Sequence, residues 1–307
     1  MGIKVFNDLK INNIVDLKVF AFVAENGSFT KSAEQSGLSR SAVGKIIAKL
    51  EENLNHRLFH RTTRVVKLTH EGEIFYEHVQ RILREIEDAE QVLNQDQLPK
   101  GKFKITVPSA FGRLHVMPIV WQFLQKYPEV DLEILFTDDY SDLIREGIDL
   151  AIRIGNNADS SLIQKVLAYH QLIMCASPTY LEKHGEPLKM DDLTNHQCLL
   201  YLHQTQAVTW KYHDHQEKEI ALKGHIKLQD IESLKNAALE GLGIVQLSSF
   251  LIHPLIMQNR LNPVLTEFMP QKEPICAVYP SKKHLSPKVR LFIELLQENW
   301  QNRSHWG

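Results

Sequence analysis

From Thr69 onward the apolar residues Phe75, Val79, Ile82, Ile86, Ala89 and Leu93 return at alternating steps of four and three. Only an α-helix lays that spacing along one side, and it is the spacing of a coiled-coil seam, which asks for a partner helix. Packing of the same stripe within the molecule is the alternative. The periodicity ends at residues 95–101 (QDQLPKG), where polar residues, a proline and a glycine mark a linker. A long helix in this place fixes the plan of the chain. A small compact part precedes it, a large one follows, and 307 residues leave ample material for a buried core in each.

In the small part, Ile14, Leu17, Val19, Phe20, Phe22 and Val23 recur at helical spacing, with Asn13 placed to cap the start and Gly27 just past the end. Ser28 begins a second, short helix that Gly37 closes, and Ser39 begins a third that runs to about Leu54. Two helices joined by a tight glycine turn are helix-turn-helix grammar. The third helix turns Val43, Ile46, Ile47 and Leu50 inward and leaves Arg40, Ser41, Gly44, Lys45 and Lys49 largely elsewhere. Residues 59–68 then read as two short β-type runs around a polar turn, a hairpin that can serve as a wing.

Beyond the linker, residues 103–107, 132–136 and 150–154 read as strands separated by helical stretches at 116–126 and 141–146, and such alternation implies a parallel sheet. A second set follows, with strands at 172–176, 199–202 and 243–247 and a helix at 231–239 closed by Gly241. The strand at 275–279 and the helix at 288–299 rejoin the first set.

The net charge is −2, so only a local concentration of basic residues can serve nucleic acid. One exists. Arg40, Lys45, Lys49, Arg57, Arg61, Arg64 and Lys67 face only Glu51 and Glu52 within residues 40–67. A charge run alone is usually a solvated face; its coincidence with a helix-turn-helix and a wing points to phosphate. No GxSxG elbow, GxxxxGK[ST] loop, GxGxxG turn or HExxH pair occurs, and nothing in the chain indicates an enzyme or a resident cofactor. Cys175, Cys198 and Cys276 are odd in number and unpaired in spacing, and read as buried apolar residues. A redox switch would need two of them together. A metal sensor would rest on His213 and His215 around Asp214, a polar stretch that reads as a solvated loop, so no metal site is expected. The lack of a long apolar run and of a basic-then-apolar start places the chain in the cytoplasm, with no membrane partner.

The stretch LKVFAFVAENGSFTKSAEQSGLSRSAVGKIIAKLEENLNHRL (Leu17 to Leu58) followed by FHRTTRVVKLTHEG closely resembles the N-terminal signature of the LysR-type transcriptional regulators, and the likeness extends over essentially the whole chain. Its most specific parts are GSFT from Gly27, SRSAV from Ser39, RLFHRTTR from Arg57 and LTHEG from Leu68.

The resemblance implies an α/β protein of three parts: a winged helix-turn-helix over 1–72, a linker and dimerisation helix with its hinge over 73–100, and a two-lobed, periplasmic-binding-protein-like effector domain over 101–307. The first lobe takes 101–168 and 272–307, the second 169–271. The implied partners are double-stranded DNA, further copies of the chain in a homodimer or homotetramer, a small-molecule effector and RNA polymerase. Arg40 and Ser41 would then reach base edges in the major groove, Lys45 and Lys49 phosphates, and Arg64 the minor groove, with Arg61 and Thr63 on the backbone. Ser28 and Thr30 stand where a helix start meets phosphate. Phe75, Val79, Ile82, Ile86, Ala89 and Leu93 form the dimer seam.

In the effector cleft, Ser109 offers a hydroxyl and nearby backbone N–H groups to an anionic effector. Thr137, Arg153, Tyr201, His203, Asp230 and Ile231 line it by position. Ser109 and Asp230 can equally be helix caps, and Arg153 a bridge between the lobes. Two departures from the common pattern stand out: Gly44 where many members carry serine, and Asn55 in place of a glycine at the end of the third helix.

Overall fold

The computed structural model describes residues 10–11, 13–61, 66–93, 98–139, 142–155, 162–203, 206–207, 209–280, 285–301 and 306. The chain forms two compact units, Met1–Gln97 and Leu98–Gly307.

The first unit is built from α1 (Ile14–Asn26), α2 (Phe29–Ser36), α3 (Arg40–Leu54), the hairpin β1 (Phe59–Arg61) and β2 (Val66–Leu68), and the long α4 (His70–Leu93). Each short helix starts and stops where local chemistry directs. Asn13, Ser28 and Ser39 accept the backbone N–H of Val15, Lys31 and Ala42, while Gly27, Gly37 and Asn55 end the helices in left-handed conformations. Asn55, at φ 58°, thus does the work of the glycine it replaces. Phe20 lies at the centre, its ring 5.3 Å from Phe59 and 5.0 Å from Phe75, with Val19, Val23, Val43, Ile47 and Leu50 buried around it.

The junction of hairpin and long helix is tied by one residue, Thr69. Its N–H donates to the Leu58 carbonyl at 3.0 Å and its hydroxyl to the Arg57 carbonyl at 2.7 Å. The same hydroxyl accepts the Gly72 N–H at 2.9 Å, capping α4. Gly72 lies so close to the Leu58 carbonyl that a Cβ would sit 2.1 Å from its oxygen. The LTHEG stretch is therefore a splice between wing and helix.

The second unit begins with β3 (Gly101–Val107), α5 (Ser109–Phe111), a π-turn over Gly112–Val116, α6 (Met117–Lys126), β4 (Val130–Phe136), β5 (Leu150–Ile154) and β6 (Leu162–His170). It continues through β7 (Leu172–Ala176), α7 (Pro178–His184), β8 (Cys198–His203), β9 (Gln206–Ala207), β10 (Trp210–Asp214), β11 (Gln216–Ile220), β12 (Ile226–Leu228) and α8 (Ile231–Leu239). β13 (Ile244–Ser248), α9 (Ser249–Met257), β14 (Asn262–Pro263), β15 (Glu273–Pro280) and α10 (Pro287–Trp300) complete it.

Two sheets organise these elements. One has the order β4-β3-β5-β15-β6, with β3 parallel to β4 and β5 and with β15 antiparallel to β5 and β6. The other has the order β12-β8-β13-β7-β14, with β8 parallel to β12 and β13. The chain crosses from the first sheet to the second at Gln171, between β6 and β7, and returns between β14 and β15. Two lobes linked by two crossings are the result.

The structure departs from the sequence reading in three places. The helix expected at 141–146 is a single turn: the Asp142 side chain accepts the Arg145 N–H, and Gly147, at φ 63°, ends the turn before a helix can propagate. The polar stretch around Asp214 is a tight antiparallel hairpin, β10 on β11, turning at His215. Finally, Val79 is fully buried in the first unit, and Phe75 packs partly buried against the same core.

Candidate DNA-binding face and small-molecule cleft

On α3 the buried residues Val43, Ile47 and Leu50 fix the inward face, which leaves Arg40, Ser41, Lys45 and Lys49 exposed on the other. Thr30 is exposed at the start of α2, and Ser28 is half-buried as its N-cap. Arg57, at the entrance to the hairpin, and Lys67, on β2, are exposed too. One of the two acids in this stretch, Glu51, accepts the backbone N–H of Leu58 at 2.9 Å and of Phe59 at 3.2 Å, clamping the end of α3 to β1. Arg61 holds a β1 position opposite Val66, whereas Thr63 and Arg64 lie outside the described residues.

The α4 stripe divides. Val79 is fully buried in the core of the first unit, and Phe75 packs partly buried against that core. Tyr76 anchors the same turn, its hydroxyl donating to Glu25 at 3.1 Å. Further along, Ile82 is 45% exposed, Ile86 half-buried and Ala89 exposed. Ile74, off the expected stripe, is 48% exposed. Leu93 lies on the last turn of α4.

In the second unit the carboxyl ends of β3 and β4 bring Ser109 and Thr137 together. Two aspartates that sequence reasoning passed over, Asp138 and Asp139, occupy the polar groups this creates. The Asp138 carboxylate accepts the Ser109 N–H at 3.2 Å, and the Thr137 hydroxyl accepts the Asp139 N–H at 3.1 Å. From the other lobe, His203 at the end of β8 reaches to 3.9 Å from Asp139. Tyr201, half-buried on β8, has its phenol pushed up by burial and then by the negative charges of Asp138, Asp139 and Asp230. Asp230 caps α8 by accepting the Ser233 N–H at 2.8 Å; the Ser233 hydroxyl, backbone N–H groups and the positive charge of Arg113 together hold its carboxyl below the usual range.

Five of the seven expected cleft residues therefore gather around Asp138 and Asp139. The other two are differently placed: Arg153 is buried on β5 opposite Cys276, and Ile231 packs against the main core of this unit. The missed residues had a sequence signal, a pair of carboxylates directly following a predicted strand, which a search for anion-binding groups ignores.

Near the crossings, Glu273 at the start of β15 pairs with Lys211 of β10, and His170 of β6 stands 3.5 Å away, at ion-pair rather than tight hydrogen-bond distance. His170 and Lys211 hold the Glu273 carboxyl down at about 2 against the opposing effect of burial. A depressed carboxyl stabilises the fold above its unfolded value of about 4.5 and loses that contribution as pH falls toward about 2. Glu273→Gln is expected to lower stability at neutral pH by about 2 kcal/mol and to flatten the acid limb in that window, as read by urea unfolding at a series of pH values.

The three cysteines are buried and free. Burial pushes the Cys175 thiol up to about 12 and Cys198 to about 11, which leaves almost no thiolate to react. Cys175 on β7 and Cys198 on β8 are separated by the whole of β13, about 10 Å at ordinary strand spacing and too far for a disulfide. His213 lies 3.2 Å from Glu217, and among the described residues no cluster of three or more ligand side chains can hold a metal. Nor is any described helix long and apolar enough to cross a membrane.

Comparison with known proteins gives one consistent result. Residues 14–73 match the bacterial regulatory helix-turn-helix protein family, lysR type, and residues 96–301 match the LysR substrate binding domain. The chain is 36% identical over 294 residues to the HTH-type transcriptional regulator CrgA of Neisseria meningitidis serogroup B, covering 94% of this chain and 98% of that protein. It is 35% identical over 295 residues to the HTH-type transcriptional regulator DmlR of Escherichia coli K12, covering 95% of each. Among solved structures, that of CrgA from Neisseria meningitidis superposes with a TM-score of 0.61 at 34% identity, over 94% of this chain and 99% of that one.

Proposed function

The chain belongs to the LysR family of bacterial transcriptional regulators, and on that premise we propose how its own residues divide the task. It is a regulator with a DNA-binding helix-turn-helix and an effector-binding domain. We assign DNA contact to 1–72, pairing of copies to the part of α4 beyond Val79, and effector binding to 101–307. It works in the cytoplasm, where the DNA is. The observation that carries this reading is the one-sided α3, with three buried apolar residues behind four exposed polar ones that include Arg40, Lys45 and Lys49.

A helix so divided fits the major groove with its start toward the bases. Arg40 and Ser41 read base edges, Arg40 by a two-pronged contact to a guanine, while Lys45 and Lys49 neutralise phosphates. Thr30 and Ser28 meet the backbone at the start of α2, and Arg61, Thr63 and Arg64 act from the wing. Two copies place two such helices on successive grooves, and the exposed Ile82 and Ala89 supply the contact between them. Effector binding in the cleft shifts the balance between lobe arrangements and thereby the affinity for DNA or its bend.

The test uses a duplex recovered by genome-wide footprinting with the purified protein. Arg40→Ala is expected to weaken binding to that duplex about ten- to a hundredfold while leaving non-specific binding little changed. Lys45→Ala and Lys49→Ala weaken all duplexes alike, and each lowers the salt slope of affinity by about one. A protein that attaches to no duplex in a salt-dependent manner, or an Arg40→Ala variant with unchanged preference, refutes the assignment.

A further inference from the structure

The Ser109 amide, a group a carboxylate effector would be expected to use, is already engaged from the loop that follows β4. Asp138 accepts its N–H at 3.2 Å, and within that loop the Asp139 N–H donates to the Thr137 hydroxyl at 3.1 Å. Across the gap, His203 of the second lobe stands 3.9 Å from Asp139, so this loop is also where the two lobes approach each other. Asp138, Asp139 and Asp230 bring three negative charges to bear on Tyr201, with the positive charge of Arg113 acting on Asp230.

Resting on the cleft reading above, we propose that Asp138 is a specificity-determining residue that excludes carboxylate effectors from the Ser109 amide and admits a small molecule presenting a proton-donating head group, such as an amine. The physical reason is substitution. A carboxylate entering here has to displace a carboxylate that is covalently tethered beside the same N–H, and to do so next to Asp139 and Asp230. Like charges at such separations repel, and at the Ser109 amide the entering group gains only a hydrogen bond that was already made. A cationic or hydroxyl-bearing head group meets the opposite situation. Asp138 keeps its bond to Ser109 through one lone pair and accepts from the ligand through another, because a carboxylate has room for about four such contacts. Opposite charge then adds to the bond instead of opposing it.

The experiment compares two probes of equal length, succinate and 1,4-diaminobutane, on the full-length protein. Affinity is measured by calorimetry and location by hydrogen exchange. The wild type is expected to bind the diamine at least about tenfold more tightly than succinate. Asp138→Ala, which frees the Ser109 amide and removes the charge, is expected to raise succinate affinity about tenfold or more and to weaken the diamine. Asp138→Asn keeps an acceptor but loses the charge, and falls between them. Asp131→Ala, an exposed aspartate on β4 in the same lobe, is expected to change neither. A wild type that prefers succinate overturns the proposal, as does an Asp138→Ala variant that gains no more for succinate than Asp131→Ala, including the case in which no variant binds either probe. Exchange protection identifies a different failure. If a probe binds but slows exchange only outside residues 108–116, 136–139, 201–203 and 230–234, the cleft reading itself falls.

Discussion

Replacing Gly72 by alanine is expected to cost the N-terminal unit about 3 kcal/mol or more, the upper end of what overpacking a tight site does, and to remove DNA binding with it. The added Cβ would stand 2.1 Å from the Leu58 carbonyl oxygen, 3.0 Å from its carbon and 3.1 Å from the Leu68 side chain. The two backbone atoms of Leu58 cannot simply rotate aside. The Leu58 carbonyl accepts the Thr69 N–H, and Thr69 in turn caps α4 through the Gly72 N–H, so a shift of the hairpin breaks the cap and a shift of the helix breaks the hairpin's seat. Phe59, packed on Phe20, moves with the hairpin. Gly44→Ala is the matched control: a Cβ there meets nothing within 4 Å, and alanine should stabilise α3 by about 1 kcal/mol. Denaturant unfolding followed by circular dichroism reads both. A Gly72→Ala midpoint equal to wild type would show that the splice is not under the constraint described.

The contrast between these two glycines marks what sequence can and cannot convey. Helix ends were legible because their causes are local: Ser28, Ser39 and Asn13 accept N–H groups two or three residues on, and Gly27 and Gly37 adopt the left-handed turn that a short-range pattern announces. The inward face of α3 was legible for the same reason, since period alone decides it. Gly72 was visible as part of a motif but not as a close approach, because the Leu58 carbonyl is far away in number. The α4 seam shows the limit from the other side. Periodicity assigns Phe75 and Ile82 to one stripe, yet only the fold reveals that Phe20 of α1 packs on the first while the second stays open. Ser109, Thr137, Tyr201, His203 and Asp230 were singled out by their places at strand and helix ends, and the structure brings them near Asp138 and Asp139. That Asp138 takes the Ser109 amide depends on a loop conformation that no period encodes. Arg153 reads as a cleft residue by adjacency to a strand end, but β5 lies inside its sheet and buries it.

Trp306 carries the second large effect, and it is invisible to pattern reading because it lies past the last helix. Its ring is only 1% exposed, with centroids 4.6 Å from His115, 5.5 Å from Phe111 and 5.7 Å from Trp300. Its carbonyl accepts the Gln171 N–H at 3.0 Å and also the Ser249 hydroxyl. Gln171 is the single residue between β6 and β7, the point where the chain first passes from one lobe to the other. Ser249 begins α9 in the second lobe, while Phe111 and His115 belong to the first. One residue near the carboxyl end thus fills a hole in the first lobe and satisfies polar groups at the crossing. Trp306→Ala is expected to cost about 3–5 kcal/mol, the range for emptying a buried tryptophan site, and to lower the melting temperature of the second unit by roughly 10 °C. Trp306→Phe keeps an aromatic ring in place and should recover more than half of the loss. Ending the chain after Gln301 removes the ring and the carbonyl together, so its cost should exceed that of Trp306→Ala by about 1 kcal/mol, since the Ser249 hydroxyl loses its acceptor while the Gln171 N–H keeps only its 3.1 Å bond to the Ser249 oxygen. Scanning calorimetry on the three variants decides the matter: equal melting temperatures for Trp306→Ala and wild type would mean that the ring's burial contributes nothing, and equal values for Trp306→Ala and the shortened chain would mean that the carbonyl does not hold the crossing.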